Sequence, residues 1–191
     1  MRRIILASAS PRRKELLEQI GLQFEVDPSH CEEVMESGMD PRELAKSLSF
    51  QKATEVAKRY DDAIIIGADT FIVAENKLMG KAHSEAEARG MLMVLNGKSH
   101  SVITGFTVIN TLDGKVVSRA VETKVWFRNL AEQEIDSYVK TGEPIGKAGA
   151  YAIQGKGAVI VEGIMGDYSN VVGLPLTALL QTLEEFEIPI L

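Results

Sequence analysis

The chain has 191 residues, 45% of them apolar, enough to bury a core and close to the size of one domain at about 150 residues each. Its 21 basic and 27 acidic residues sum to a net charge of −6, which excludes a broad nucleic-acid surface, and no stretch approaches the about 20 consecutive apolar residues of a membrane span. One cysteine, Cys31, closes no internal disulfide and with His30, His83 and His100 forms no zinc spacing, a pattern that fits a reducing, cytoplasmic compartment.

Arg2-Arg3 followed by Ile4 to Ala7 is too short for a signal peptide and reads as a buried strand. A helix follows with Leu16, Leu17 and Ile20 on one face and Gly21 as its stop. Asp40 as N-cap, Pro41 at the first position and Glu43 at the third announce a second helix, expected to run to about Tyr60. Ala63-Ile64-Ile65-Ile66 is a continuous apolar run of the kind found in a central strand covered on both faces. Ser84 with Glu87 opens a third helix carrying Met91, Leu92 and Leu95, and Gly97 closes it.

A long hairpin is expected from strands over 101–109 and 115–127, turned at Asp113-Gly114, with alternation at Val121, Thr123, Val125 and Phe127. A fourth helix carries Ile135, Tyr138 and Val139 and stops at Gly142 and Pro144. The last strand is expected near 158–161 and a closing helix over about 176–186. Helices and strands interleave without repeat or linker, so the class is α/β in a single domain over 1–191.

Several constellations carry chemistry. In Ser10-Pro11-Arg12-Arg13, Ser10 suits an N-cap and Pro11 a first helical position, yet two arginines occupy the first turn. A cation there costs about 0.3 to 1 kcal/mol against the positive end of the helix dipole unless an anion is held between them, which marks a phosphate site. Two solvated arginines are the plainer reading of the pair alone. Lys52 lies in the series Leu44, Leu48, Lys52, Val56 on the apolar stripe of its helix, so its ammonium either enters a cleft that holds anions or reaches back to water along its stem.

Asp69 ends the Ile64 to Ala68 run at the carboxyl edge of the central strand, where open α/β sheets place ligands. A carboxylate there can hold a metal or take a proton from water, although Asp69-Thr70 is also ordinary turn chemistry. Glu32 and Glu33 offer hard oxygen ligands suited to magnesium or manganese rather than zinc, or simply a solvated face. In 146–155, small residues open backbone amides to a ligand, Lys147 adds a cation, and Gln154 can both donate and accept at a base edge. Gly97-Lys98-Ser99 imitates the tail of a P-loop but leaves a helix for a strand, the reverse of that motif, and no GxSxG, GxGxxG or HExxH occurs.

Together, Ser8-Ala9-Ser10-Pro11-Arg12-Arg13, Gln51-Lys52-Ala53, Gly67-Ala68-Asp69-Thr70, Gly80-Lys81, Ser99-His100-Ser101-Val102-Ile103-Thr104, Lys147-Ala148-Gly149-Ala150-Tyr151 and Gly173-Leu174-Pro175 resemble the Maf family of nucleotide pyrophosphatases, in order along essentially the whole chain. The resemblance implies an ITPase-like (Maf/HAM1) α/β fold, a twisted mixed sheet with flanking helices and two lobes around a deep cleft. It implies hydrolysis of a nucleoside triphosphate to the monophosphate and pyrophosphate, a required divalent metal (Mg or Mn), Asp69 as the base that activates water, and Ser10, Arg13, Glu33, Lys52 and Lys81 in the phosphate and metal region. It also suggests a homodimer.

Arg12, Thr70 and Gln154 match the branch of that family acting on dTTP and UTP, and this chain does not match the branch acting on 7-methyl-GTP. Ala82 departs from the proline usual after the lysine, which leaves the placement of Lys81 to be checked. A triphosphate carries about four negative charges, and Arg12, Arg13, Lys52, Lys81 and Lys147 offer five positive ones if they converge. Two other readings stand beside the pyrophosphatase: a nucleotide-binding regulator of cell division with little turnover, and a generic phosphatase.

Overall fold

The structure, a computed structural model, describes residues 2–31 and 38–189. Among these, the strands are β1 (Ile4–Leu6), β2 (Glu25–Val26), β3 (Ile64–Ala74), β4 (Lys77–Met79), β5 (Ser99–Asn110), β6 (Val116–Phe127) and β7 (Val161–Met165). The helices are α1 (Pro11–Gln19), α2 (Pro41–Ala57), α3 (Glu85–Leu95), α4 (Glu132–Val139), α5 (Tyr168–Val172) and α6 (Leu176–Glu185). The strands form one sheet in the order β2-β1-β3-β5-β6-β7, with β4 paired to β3 outside that path. β1 runs parallel to β2 and β3, whereas β3–β4 and β6–β7 are antiparallel, so the sheet is mixed and the class is α/β as expected.

The chain divides into two compact units, the first Met1–Thr70, Thr104–Val121 and Gly173–Leu191, the second Phe71–Ile103 and Glu122–Val172. In the first, Ile5, Ala7, Ala53, Val56, Ile65 and Ile109 share an apolar cluster. The run Ile64-Ile65-Ile66 is fully buried in the middle of the strand order, because β-branched side chains covered on both faces suit a central strand. In the second, Leu92, Leu95, Val125, Phe127, Ile135, Tyr138 and Tyr151 form the core.

Capping chemistry sets several helix starts. Asp40 accepts from the backbone N–H groups of Arg42 and Glu43, and Ser84 from that of Glu87, satisfying amides that would otherwise be orphaned. Glu87 reaches back to the His83 amide rather than to that of Ser84. α2 stops at Ala57, short of Tyr60, because the Arg59 and Tyr60 amides turn back to Val56 and Ala57, the tighter spacing that ends a helix.

The last strand is not at 158–161. Residues Gly155–Val159 form a short 3-10 turn and the strand begins at Val161. The Lys156 and Gly157 amides bind the Glu143 carboxylate, which winds this segment, and the chain becomes extended only where it meets Lys124 to Phe127 of β6. α5 has no counterpart among the expected elements. Asp167 accepts from the Ser169 and Asn170 amides and so starts it.

Candidate active site

Helix α2 lies directly on the backbone of the first unit's strands. A Cβ at Gly67 would stand 2.6 Å from the Ser49 carbonyl oxygen and 2.8 Å from Ala53 atoms, and one at Gly105 only 2.0 Å from the Ala45 carbonyl oxygen. Ala45, Ser49 and Ala53 recur every four residues, so α2 offers a stripe of small side chains and β3 and β5 answer with glycine. Strand alternation puts Ile65, Gly67 and Asp69 on the face that meets α2. Lys52, one position before Ala53, thereby reaches the Asp69 carboxylate and donates from Nζ to Oδ1. The two side chains are 17% and 16% exposed, so this ion pair is largely withdrawn from water and is not a surface contact. Lys52 therefore neither runs its charge out along the apolar stripe nor stands alone: its partner is the Asp69 carboxylate. Asp69 does not end the strand as expected but lies midway along β3, because Phe71 to Ala74 stay extended and their last three residues pair with β4.

On the other side of the same strand stretch stands α1. Ser10 occupies its N-cap position without a side-chain capping bond, and Arg12 is half-buried in the first turn. Arg13 is 8% exposed and turned inward. Its Nε donates to the Gly173 carbonyl oxygen at 2.9 Å, and Nη1 to Ser8 Oγ at 3.0 Å and to the Ala68 carbonyl oxygen at 2.9 Å. Nη2 donates to Thr70 Oγ1 at 3.0 Å. Two carbonyl dipoles thus offset the unfavourable placement of a cation at a helix start. Thr70 Oγ1 also lies 2.9 Å from Thr104 Oγ1 and donates to the Gly173 carbonyl oxygen at 3.3 Å, so Thr70 belongs to this buried network.

The second unit brings Lys81 and Lys147 onto facing backbone segments. Lys81 pairs with Ala148 in an isolated antiparallel bridge, the Ala82 amide donates to the Lys147 carbonyl oxygen at 3.3 Å, and the Gly149 amide donates to that of Gly80 at 3.0 Å. Ala82 is fully buried, and its N–H makes a bond that proline lacks the donor to form, so this turn is pinned by a backbone hydrogen bond. Lys81 is exposed and Lys147 half-buried. Gln154 is half-buried at the start of the 3-10 turn that Glu143 holds. Burial opposes ionisation of Glu143, but hydrogen bonds from the Lys156 amide, the Tyr138 hydroxyl and the Gly157 amide hold its carboxyl below the usual range.

Behind the 147–151 segment, His100 Nε2 and Tyr151 Oη are 2.8 Å apart, with Phe127 packed edge-on against both rings. Burial pushes the His100 imidazole down to about 4 and raises the Tyr151 phenol. His100 is thus a neutral strut in the core at neutral pH. Its motif placed it among conspicuous residues, but nothing in sequence marked its partner.

Of the residues singled out from sequence, the first unit holds Ser10, Arg12, Arg13, Lys52, Asp69 and Thr70, and the second holds Lys81, Lys147 and Gln154. Glu33 lies outside the described residues. Contacts missed at the level of sequence are Lys52 to Asp69, Arg13 to Gly173 and Glu143 to the 3-10 turn. The first two had a signal, a lysine on an apolar stripe and a misplaced positive charge on α1; the third had none.

Fold and site together define a mixed α/β protein with a cation-held aspartate midway along a central strand and a lysine-bearing, glycine-rich segment. Residues 3–186 match the family model described as Maf-like protein, and the chain belongs to that family. It is 51% identical to a dTTP/UTP pyrophosphatase of Thermoanaerobacter sp. (strain X514), with 99% of this chain and 100% of the relative aligned. It is 47% identical to a dTTP/UTP pyrophosphatase of Bacillus cereus (strain AH820), with 100% of this chain and 98% of the relative aligned. A solved structure of the Staphylococcus aureus Ham1 protein aligns over 97% of this chain and 100% of its own at 16% identity and a TM-score of 0.48.

Proposed function

We infer that the protein is a nucleoside triphosphate pyrophosphatase that hydrolyses dTTP and UTP to the monophosphate and pyrophosphate. The observation that carries this reading is the Lys52–Asp69 pair midway along the central strand, in a chain whose relatives bearing that activity in their names align from end to end. In the proposed reaction a water oxygen attacks the α-phosphorus in line, the bond from that phosphorus to the bridging oxygen of the β-phosphate breaks, and pyrophosphate leaves with the electron pair. Asp69 takes the water's proton and returns it to solvent. Lys52 holds one carboxylate oxygen, which fixes the direction in which the other, Oδ2, faces.

Arg12, Lys52, Lys81 and Lys147 are the cations proposed for the phosphates, Ser10 and the α1 amides for their oxygens, and Gln154 for the base; Thr70, which the family resemblance ties to the dTTP and UTP type, has its hydroxyl in the network around Arg13. CTP and modified pyrimidine triphosphates fall in the same substrate class. Asp69, together with Glu33, is proposed to hold a magnesium or manganese ion, which when bound neutralises phosphate charge. A hard carboxylate oxygen fits that ion, and such sites rely on one or two carboxylates with waters and substrate phosphates. A larger cluster is therefore not required, and among the described residues no group of three or more His, Cys, Asp or Glu stands together.

A cytoplasmic homodimer is part of the proposal, resting on the single cysteine and on the family. No helix among the described residues is long and apolar enough to cross a membrane. The test is to incubate the pure protein with dTTP, UTP, CTP and GTP and magnesium or manganese, then to separate the products. Monophosphate and pyrophosphate from dTTP and UTP, abolished by a chelator, support the reading. Diphosphate with orthophosphate would refute the cleavage site.

A further inference from the structure

We propose that Arg13 is a positioning residue that fixes the backbone on both sides of Asp69, and not a ligand of the substrate's phosphates. The guanidinium has five N–H donors in a rigid fork, and four of its hydrogen bonds go to protein acceptors while the residue is 8% exposed. Two of those acceptors belong to Ala68 and Thr70, the neighbours of Asp69 on β3. Alternation along the strand sends the Thr70 side chain to one face and the Asp69 carboxylate to the other. Arg13 therefore grips the strand from the α1 side, while Lys52 on α2 grips the carboxylate itself.

The remaining acceptors anchor the fork. Ser8 precedes α1 and Gly173 precedes α6, so the middle of β3 is referred to two separate helical starts through one planar group. A rotation of the peptide at Asp69 would lengthen the bond to the Ala68 carbonyl or the one to Thr70 Oγ1. Charge alone does not explain this arrangement: a lysine gathers its three donors on one nitrogen and cannot reproduce four bonds that leave three nitrogens of a planar fork.

This inference rests on the reading of Asp69 as the base, and the experiment separates the two. Arg13→Lys keeps the charge and loses the fork. In the full-length protein with magnesium, kcat for dTTP should fall about 100-fold, the scale of a 1 Å misplacement of a reacting group. KM, and the Kd of the α,β-methylene analogue of dTTP, should stay within about threefold of the unsubstituted protein because the proposed phosphate ligands are untouched. Amide hydrogen exchange over 68–71 should quicken while the exchange of α3 and α4 does not change, an effect that general destabilisation would not confine to the strand.

A tenfold or greater weakening of analogue binding would make Arg13 a substrate ligand and overturn the proposal, as would unchanged kcat together with unchanged exchange. If Arg13→Lys does not fold, Ser8→Ala removes one anchor without altering charge and should give the same pattern at a smaller amplitude, with a drop of about threefold to tenfold in kcat and no change in analogue Kd. Should the unsubstituted protein release no monophosphate, the pyrophosphatase reading falls, and the exchange at 68–71 alone decides whether Arg13 clamps the strand.

Discussion

Gly67→Ala tests whether the closeness of α2 to β3 sets both stability and the Lys52–Asp69 geometry. The added Cβ would lie 2.6 Å from the Ser49 carbonyl oxygen and 2.8 Å from the Ala53 backbone nitrogen and Cβ, where ordinary contact begins at 3.4 Å. α2 must therefore retreat by about 0.6 to 0.8 Å, since the obstacles are mainly backbone and do not swing aside. Overpacking of this kind costs about 1 to 3 kcal/mol, and the lower freedom of alanine in the unfolded chain returns about 0.4 to 1 kcal/mol.

The net loss of about 1 to 2 kcal/mol corresponds to a fall in Tm of roughly 2 to 8 °C for a chain of this size. Because the retreat carries Lys52 away from Asp69, kcat should fall further than the folded fraction does. Thermal denaturation followed by circular dichroism, with activity measured well below the transition, reads both effects. Gly90→Ala is the matched control: nothing lies within 4 Å of that Cβ, the site is exposed in α3, and the substitution should stabilise by about 0.5 to 1 kcal/mol. A Tm for Gly67→Ala equal to or above that of the unsubstituted protein would sink the close-packing argument.

Asp69→Asn should lower turnover of dTTP by about 100- to 10,000-fold while the protein stays folded, because the amide oxygen still accepts from Lys52; activity within tenfold of the original would remove Asp69 from the base role. His100, held near pKa 4 by burial against the ordinary 6.5 of an imidazole, binds a proton more readily in the unfolded chain. Its contribution to stability is therefore intact above about pH 6.5 and is lost progressively as pH falls towards 4, by about 3 kcal/mol in all. Urea titrations across that range should show a slope that His100→Phe reduces. Asn96 donates to the Leu130 carbonyl oxygen at 2.9 Å and accepts from the Leu130 amide at 2.7 Å, so Asn96→Ala should cost about 1 to 3 kcal/mol by chemical denaturation.

Local chemistry was legible where a single residue decides it. Asp40-Pro41 and Ser84 located two helix starts, and the isoleucine run located a central strand, because caps and burial on both faces act over a few neighbours. The 3-10 turn was misread because Gly155 to Val159 carries no helical period of its own and takes its shape from Glu143, a dozen residues away. β2 has two residues, both exposed, and so offers no alternation to read. The candidate site was visible only as residue types. Sequence showed a lysine on an apolar stripe and an arginine at the wrong end of a helix dipole. Their partners, 17 positions away for Lys52 and up to 160 for Arg13, follow from packing. Glycine at 67 and 105, which the sequence reading passed over, marks where a helix comes too near for a side chain.

The Arg13–Gly173 hydrogen bond joins positions 160 apart, in a unit assembled from three separate stretches of the chain. During synthesis the amino-terminal stretch must therefore wait, with an arginine lacking one of its acceptors, until nearly the whole polypeptide has left the ribosome. Contacts of such long range close late and slow folding. The nascent chain therefore completes the bonds around Arg13 only once Gly173, just ahead of its last helix, has emerged.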